Sequence, residues 1–170
     1  MRYLAAATAV FFTAWVTTFS AAAQSKLTDL KGECRGSGTD RDMPFQSFQK
    51  TTCHTKIEAD ETRMNSVTVF NGDEGLHKTI RMTVTLNGDK FTGSVSQSTL
   101  ARGDKTPEVI KGSVLGNRIK DTANLRIRLP GLMPDATVAL ELRSPTSYTM
   151  QVKSLGFMLT NVTFSKVDKP

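Results

Sequence analysis

A chain of 170 residues with 22 Lys and Arg against 16 Asp and Glu carries a formal charge of +6, and 38% of its residues are hydrophobic. The length fits one domain able to bury its own core, and neither an internal repeat nor a low-complexity linker divides it. Two cysteines and two histidines leave few ligands for a metal and few bases for a nucleophile.

The amino terminus reads as an export signal. Arg2, an apolar run over 4–19 and the small residues Ala21, Ala22 and Ala23 supply its charged region, apolar region and cleavage site. Thr8, Thr13, Thr17, Thr18 and Ser20 make the run only moderately apolar, and no strongly charged flank follows, which argues against a retained anchor. Cleavage is expected after Ala23, so that 1–23 is a signal peptide and 24–170 a single β-barrel domain in the periplasm or outside the cell. No cysteine follows the apolar run directly, so a lipid anchor is not expected. Loss of the signal removes the only Trp (Trp15), and loss of Arg2 lowers the formal charge from +6 to +5. A charge of this size keeps an exported domain soluble and favours anionic neighbours.

From there on the apolar period is two, with turn residues at regular intervals, which specifies strands. A short helical turn is allowed at 25–30, and strand-forming segments follow at 30–36, 48–59 and 64–70. Ile80, Met82, Val84 and Leu86 alternate with Arg81, Thr83 and Thr85, and the run ends at Asn87-Gly88, a hairpin signal. Phe91, Gly93 and Val95 share a face of the next strand. Leu125, Ile127 and Leu129 alternate with Arg126 and Arg128, and Val138, Leu140 and Leu142 repeat the pattern. Tyr148, Met150 and Val152 lead toward Leu155, Phe157 and Leu159. The inward phase then switches to Val162 and Phe164, as a β-bulge near Gly156 or Asn161 would produce. The expected fold is all-β: a single antiparallel barrel, or barrel-like sandwich, of about 8–10 strands.

Cys34 and Cys53, an even pair in an oxidising compartment, read first as a disulfide stapling the first hairpin if they stand opposite each other. Free thiols and a metal pair are the alternatives.

The early Gly-containing strand Leu30-Lys31-Gly32-Glu33-Cys34-Arg35-Gly36-Ser37-Gly38, with up-and-down hairpins over the rest of the chain, resembles the lipocalin-like (calycin-like) barrels of exported bacterial proteins. Cys34 stands where those barrels carry the Trp of Gly-x-Trp. The resemblance implies binding of a small apolar ligand or inhibition of a protease.

No enzyme is expected. Gly36-Ser37-Gly38 lacks the spacing of a nucleophile elbow. His54 adjoins a cysteine assigned to the disulfide, and His77 is expected in solvent at a strand start. Asp40 and Asp42, and Glu58, Asp60 and Glu61, read as solvated turns in a chain with few aromatics to line a glycosidase cleft. No cofactor and no metal are expected, because no zinc spacing or calcium-loop pattern is present. Between Arg102 and Arg128 seven basic residues face three acidic ones, and Arg126 and Arg128 share one strand face as candidate anion contacts. Nucleic acid is not expected, since no aromatics interleave this stripe.

Two functions follow. In the first, a monomeric periplasmic binding barrel holds a small apolar or lipid-like ligand among Met82, Val84, Phe91, Leu125, Ile127, Leu140 and Phe157. In the second, a filled barrel contacts an anionic envelope component or another exported protein through its surface.

Overall fold

Ten strands carry out the period-two pattern. The computed structural model describes residues 27–167 apart from 74, 76, 101, 102, 104 and 132; the expected signal peptide and its cleavage site lie outside the described residues. A 3-10 turn, Leu27–Leu30, precedes β1 (Gly32–Asp40), β2 (Gln49–Ala59), β3 (Arg63–Gly72), β4 (His77–Asn87) and β5 (Lys90–Leu100). The second half comprises β6 (Glu108–Ile119), β7 (Thr122–Arg128), β8 (Ala136–Ser144), β9 (Ser147–Ser154) and β10 (Phe157–Lys166). Each strand pairs antiparallel with its chain neighbours, and β1 pairs with β10, so the meander closes into a barrel without an edge strand. The closing pair, β1 with β10, lies within Gly32–Lys166.

In β2 the alternation is plain: Thr51, Cys53, Thr55 and Ile57 are buried, while Thr52, His54, Lys56 and Glu58 are exposed. The β4–β5 hairpin forms at Asn87-Gly88 as expected, with Asn87 opposite Lys90 and Gly88 at φ +60°. The β9–β10 region differs from its sequence reading. Leu155 (φ +51°) and Gly156 (φ +80°) form a two-residue turn between Ser154 and Phe157. The expected bulge is present as a register shift between Met158 and Thr160, which restores Thr160, Val162 and Phe164 to the inside.

The interior is packed with large side chains. Phe70, Phe91, Tyr148 and Phe164 lie among Met64, Val84, Val114, Leu125, Val138 and Val162, all buried. Tyr148 stacks on Phe164 with ring centroids 4.8 Å apart and planes 8° apart. Phe164 stands opposite Gly36 across the closing seam, and a methyl group at Gly36 would press into that ring, so the glycine makes room for the aromatic. Gly93 permits close backbone approach: a Cβ there would strike the Thr83 carbonyl of β4.

The connections divide by end. The turns at 60–62, 88–89, 120–121 and 145–146 are tight, whereas loop 41–48, the turn at 155–156 and the strand ends Gly72, His77, Leu100, Glu108, Arg128 and Ala136 gather at the opposite end.

Candidate functional site

Two places combine charge with defined geometry: a buried ionic knot under loop 41–48 and a groove on the outer wall of β6–β9. The knot begins with Lys78, which the period of β4 points inward and which is 6% exposed. Its Nζ lies 2.7 Å from Asp40 Oδ2 and 2.9 Å from Asp42 Oδ1, and the Thr160 hydroxyl donates to Asp40 Oδ1 at 2.6 Å. Burial disfavours the ammonium, but the two carboxylates outweigh it and hold the Lys78 pKa above its ordinary value. Asp40 is therefore not a solvated turn residue: it ends β1 inside the barrel, 2% exposed. The knot ties the loop to the far wall of the barrel.

The cysteines require a correction. Cys34 and Cys53 lie on adjacent strands and both point inward, but they form no disulfide. The register places Thr55 opposite Cys34 and Cys53 opposite Gly36, so the two cysteines are diagonal neighbours. Such positions are about 7–8 Å apart, and a disulfide does not span Cα atoms more than about 7 Å apart. Burial pushes both thiols up, Cys53 to about 12. Neither is a thiolate at neutral pH. Native protein should therefore resist alkylation and keep its mass on reduction, while denatured protein should take up two alkyl groups, one on each of Cys34 and Cys53; a gain of about two mass units on reduction would contradict the register.

His54 shares no chemistry with Cys53, because neighbouring residues on a strand face opposite ways; its Nε2 lies 3.7 Å from Glu33 on the outer wall. His77 opens β4, exposed, with Nδ1 2.9 Å from Asn71 Oδ1. In the other acidic turn, Asp60 Oδ1 accepts from the backbone N–H of Thr62 and of Arg63, each at 2.8 Å, which lowers its pKa. This carboxylate caps the β2–β3 turn.

Of the residues expected to line a ligand site, Val84, Phe91 and Leu125 are buried, and Met82, Ile127 and Leu140 pack half-buried against them. Phe157 lies apart from these six, at the rim, 42% exposed with its ring 5.5 Å from that of Phe45. Leu30, Phe91, Ala123, Leu140, Leu142 and Tyr148, with Arg118, Lys120, Asp121 and Thr122 at the β6–β7 turn, line a half-open recess of about 40 Å³ at that end of the barrel. This falls far short of the ~300 Å³ or more that small-molecule sites enclose.

Arg126 and Arg128 share the outer face of β7, and both reach the same carboxylate: their Nε atoms lie 2.6 and 3.9 Å from Asp135 Oδ2. Beside them opens a groove of about 400 Å³ lined by Asn117, Asn124, Arg126, Thr137, Gln151 and Lys153 over Leu115 and Ala139. Arg126 stands opposite Thr137, and Thr137 opposite Lys153, so the two cations share one cross-strand row. Sequence reading identified Arg126 but missed Lys153, since only register aligns residues of β7 and β9. Compared with protein-family models and with curated proteins, the chain matches none.

Proposed function

We propose that this protein is an exported, non-enzymatic envelope-interaction barrel that works through its outer surface, using the β6–β9 groove to contact an anionic envelope component. The observation that carries this reading is the filled interior: four buried aromatic rings occupy the space a lipid-like ligand would need. We read the closed meander as lipocalin-like in architecture, with contact moved from the inside to the wall. In the groove, two cations alternate with amide and hydroxyl groups, a set suited to carboxylates or phosphates on a polar backbone. Asp135 on Arg126 illustrates the pairing those guanidinium groups make with an oxyanion.

The test is titration with polygalacturonate, a soluble acidic polysaccharide, and with anionic lipid vesicles, at rising salt. At least one should bind with an affinity that falls as salt rises. The double substitution Arg126→Ser with Lys153→Ser should weaken that binding about tenfold or more. Absence of binding to both probes, or binding indifferent to these residues, would overturn the reading.

A further inference from the structure

The loop-bearing end of the barrel displays large apolar side chains that pack into no core. Phe45 is 89% exposed, Leu155 69%, Met43 61% and Phe48 46%, with Phe157 beside them. The turns at the opposite end consist of polar residues, glycine and proline: 60–62, 88–89, 120–121 and 145–146. At that end Ile119, beside the 120–121 turn, is 57% exposed, whereas Met43, Phe45, Phe48, Leu155 and Phe157 gather at the loop-bearing end.

They are also held in place. The Arg41 N–H donates to the Leu159 carbonyl at 3.0 Å, its Nε to the Met158 carbonyl at 2.8 Å and its Nη1 to the Gln46 carbonyl at 3.2 Å. Its guanidinium lies 4.2 Å from the centre of the Phe48 ring. The Met43 N–H donates to Gln46 Oε1, the Gln46 N–H donates to the Met43 carbonyl, and Asp42 reaches down to Lys78. A loop with this many internal ties presents Phe45 at its tip with little freedom left to lose on binding.

We infer that this end is a membrane-docking tip: Phe45, Leu155 and Phe157 enter the interfacial layer of a bilayer while Arg41, Lys153 and Arg126 meet its anionic headgroups. The inference rests on the proposed anionic envelope contact and names its source as lipid. Shape and charge favour a bilayer over a protein partner. The apolar side chains project from loop 41–48 and from the 155–156 turn with its edge, a shape that suits a fluid layer needing no complementary surface. The charge is placed to match: Lys153 pairs with Met158 beside the 155–156 turn, and its cross-strand row continues through Thr137 to Arg126. Apolar insertion next to a basic flank is how peripheral proteins combine their two weak attractions to anionic membranes.

The only Trp of the chain is Trp15, so in the protein from Gln24 onward Phe45→Trp creates a single tryptophan at the tip, excited selectively over Tyr148. With vesicles of phosphatidylcholine and phosphatidylglycerol its emission should shift to the blue and be quenched by brominated acyl chains. Leu155→Ser with Phe157→Ser should reduce vesicle binding about tenfold or more while leaving polygalacturonate binding unchanged. Unshifted emission, or vesicle binding indifferent to the serine pair, would overturn the tip. If polygalacturonate still binds through Arg126 and Lys153 in that case, the groove reading survives alone; if neither probe binds, both fail. Dimerisation of the free protein that Phe45→Ser abolishes would overturn the lipid assignment in favour of a second copy.

Discussion

Lys78→Met should lower the unfolding free energy by about 3–5 kcal/mol, the loss expected when one partner of a buried ion pair is removed. The variant leaves Asp40, 2% exposed, with the Thr160 hydroxyl as its remaining hydrogen-bond donor among the described contacts. Pairing it with Asp40→Asn should recover much of that loss, because no buried charge is then left uncompensated at the end of β1. Chemical denaturation followed by far-UV circular dichroism would measure both, read as a change in midpoint at constant slope. The pH dependence has a defined sign. Lys78 has a raised pKa in the folded state, so the native protein holds this proton longer than the unfolded chain does. Its contribution is complete below the ordinary lysine value of about 10.4 and is lost as pH rises through the higher folded value. Stability supplied by Lys78 should thus decline only in alkali, and the decline should vanish in Lys78→Met.

Phe164→Ala should cost a similar ~3–5 kcal/mol, the range for deleting a buried aromatic ring. Phe164 is 0% exposed, stacks on Tyr148 and covers Gly36 where β10 meets β1, so the loss falls on the seam that closes the barrel. The variant also tests the packing directly. A cavity lined by apolar residues stays dry and admits small hydrophobic molecules. Phe164→Ala should therefore gain affinity for a probe such as benzene that the parent protein does not bind. Phe45→Ala removes a ring of the same size from an 89% exposed position and should change stability by no more than about 0.5 kcal/mol.

Much of this fold is legible in the sequence wherever one face of a strand is apolar and a turn residue ends it. Ile80, Met82, Val84 and Leu86 followed by Asn87-Gly88 identify both β4 and its hairpin. The Leu155-Gly156 turn is not legible in this way, because leucine seldom adopts a positive φ. The apolar residues 155–159 instead read as a continuing inward strand, which placed Phe157 inside with the core. The cysteines show a second kind of limit. Period two identifies their strands and their common face, but register depends on how the irregular loop 41–48 joins β1 to β2, and the diagonal offset follows from that. Lys78 shows a third. Period alone cannot separate an inward lysine from a solvated one, and the carboxylates that make its burial tolerable lie 38 and 36 positions away, at Asp40 and Asp42. Alternation alone puts Arg126 and Arg128 on one strand face, whereas their shared Asp135 and the alignment of Lys153 emerge only from strand pairing.

The reading of this protein as a surface-acting barrel depends above all on the interior being full. Native mass spectrometry of the protein purified from its own cells, compared with the same sample denatured, tests this most directly. A filled barrel predicts the same mass in both spectra, that of the polypeptide alone. An additional mass of an apolar small molecule, present in the native spectrum and lost on denaturation, would contradict it and return the contact site to the inside of the barrel.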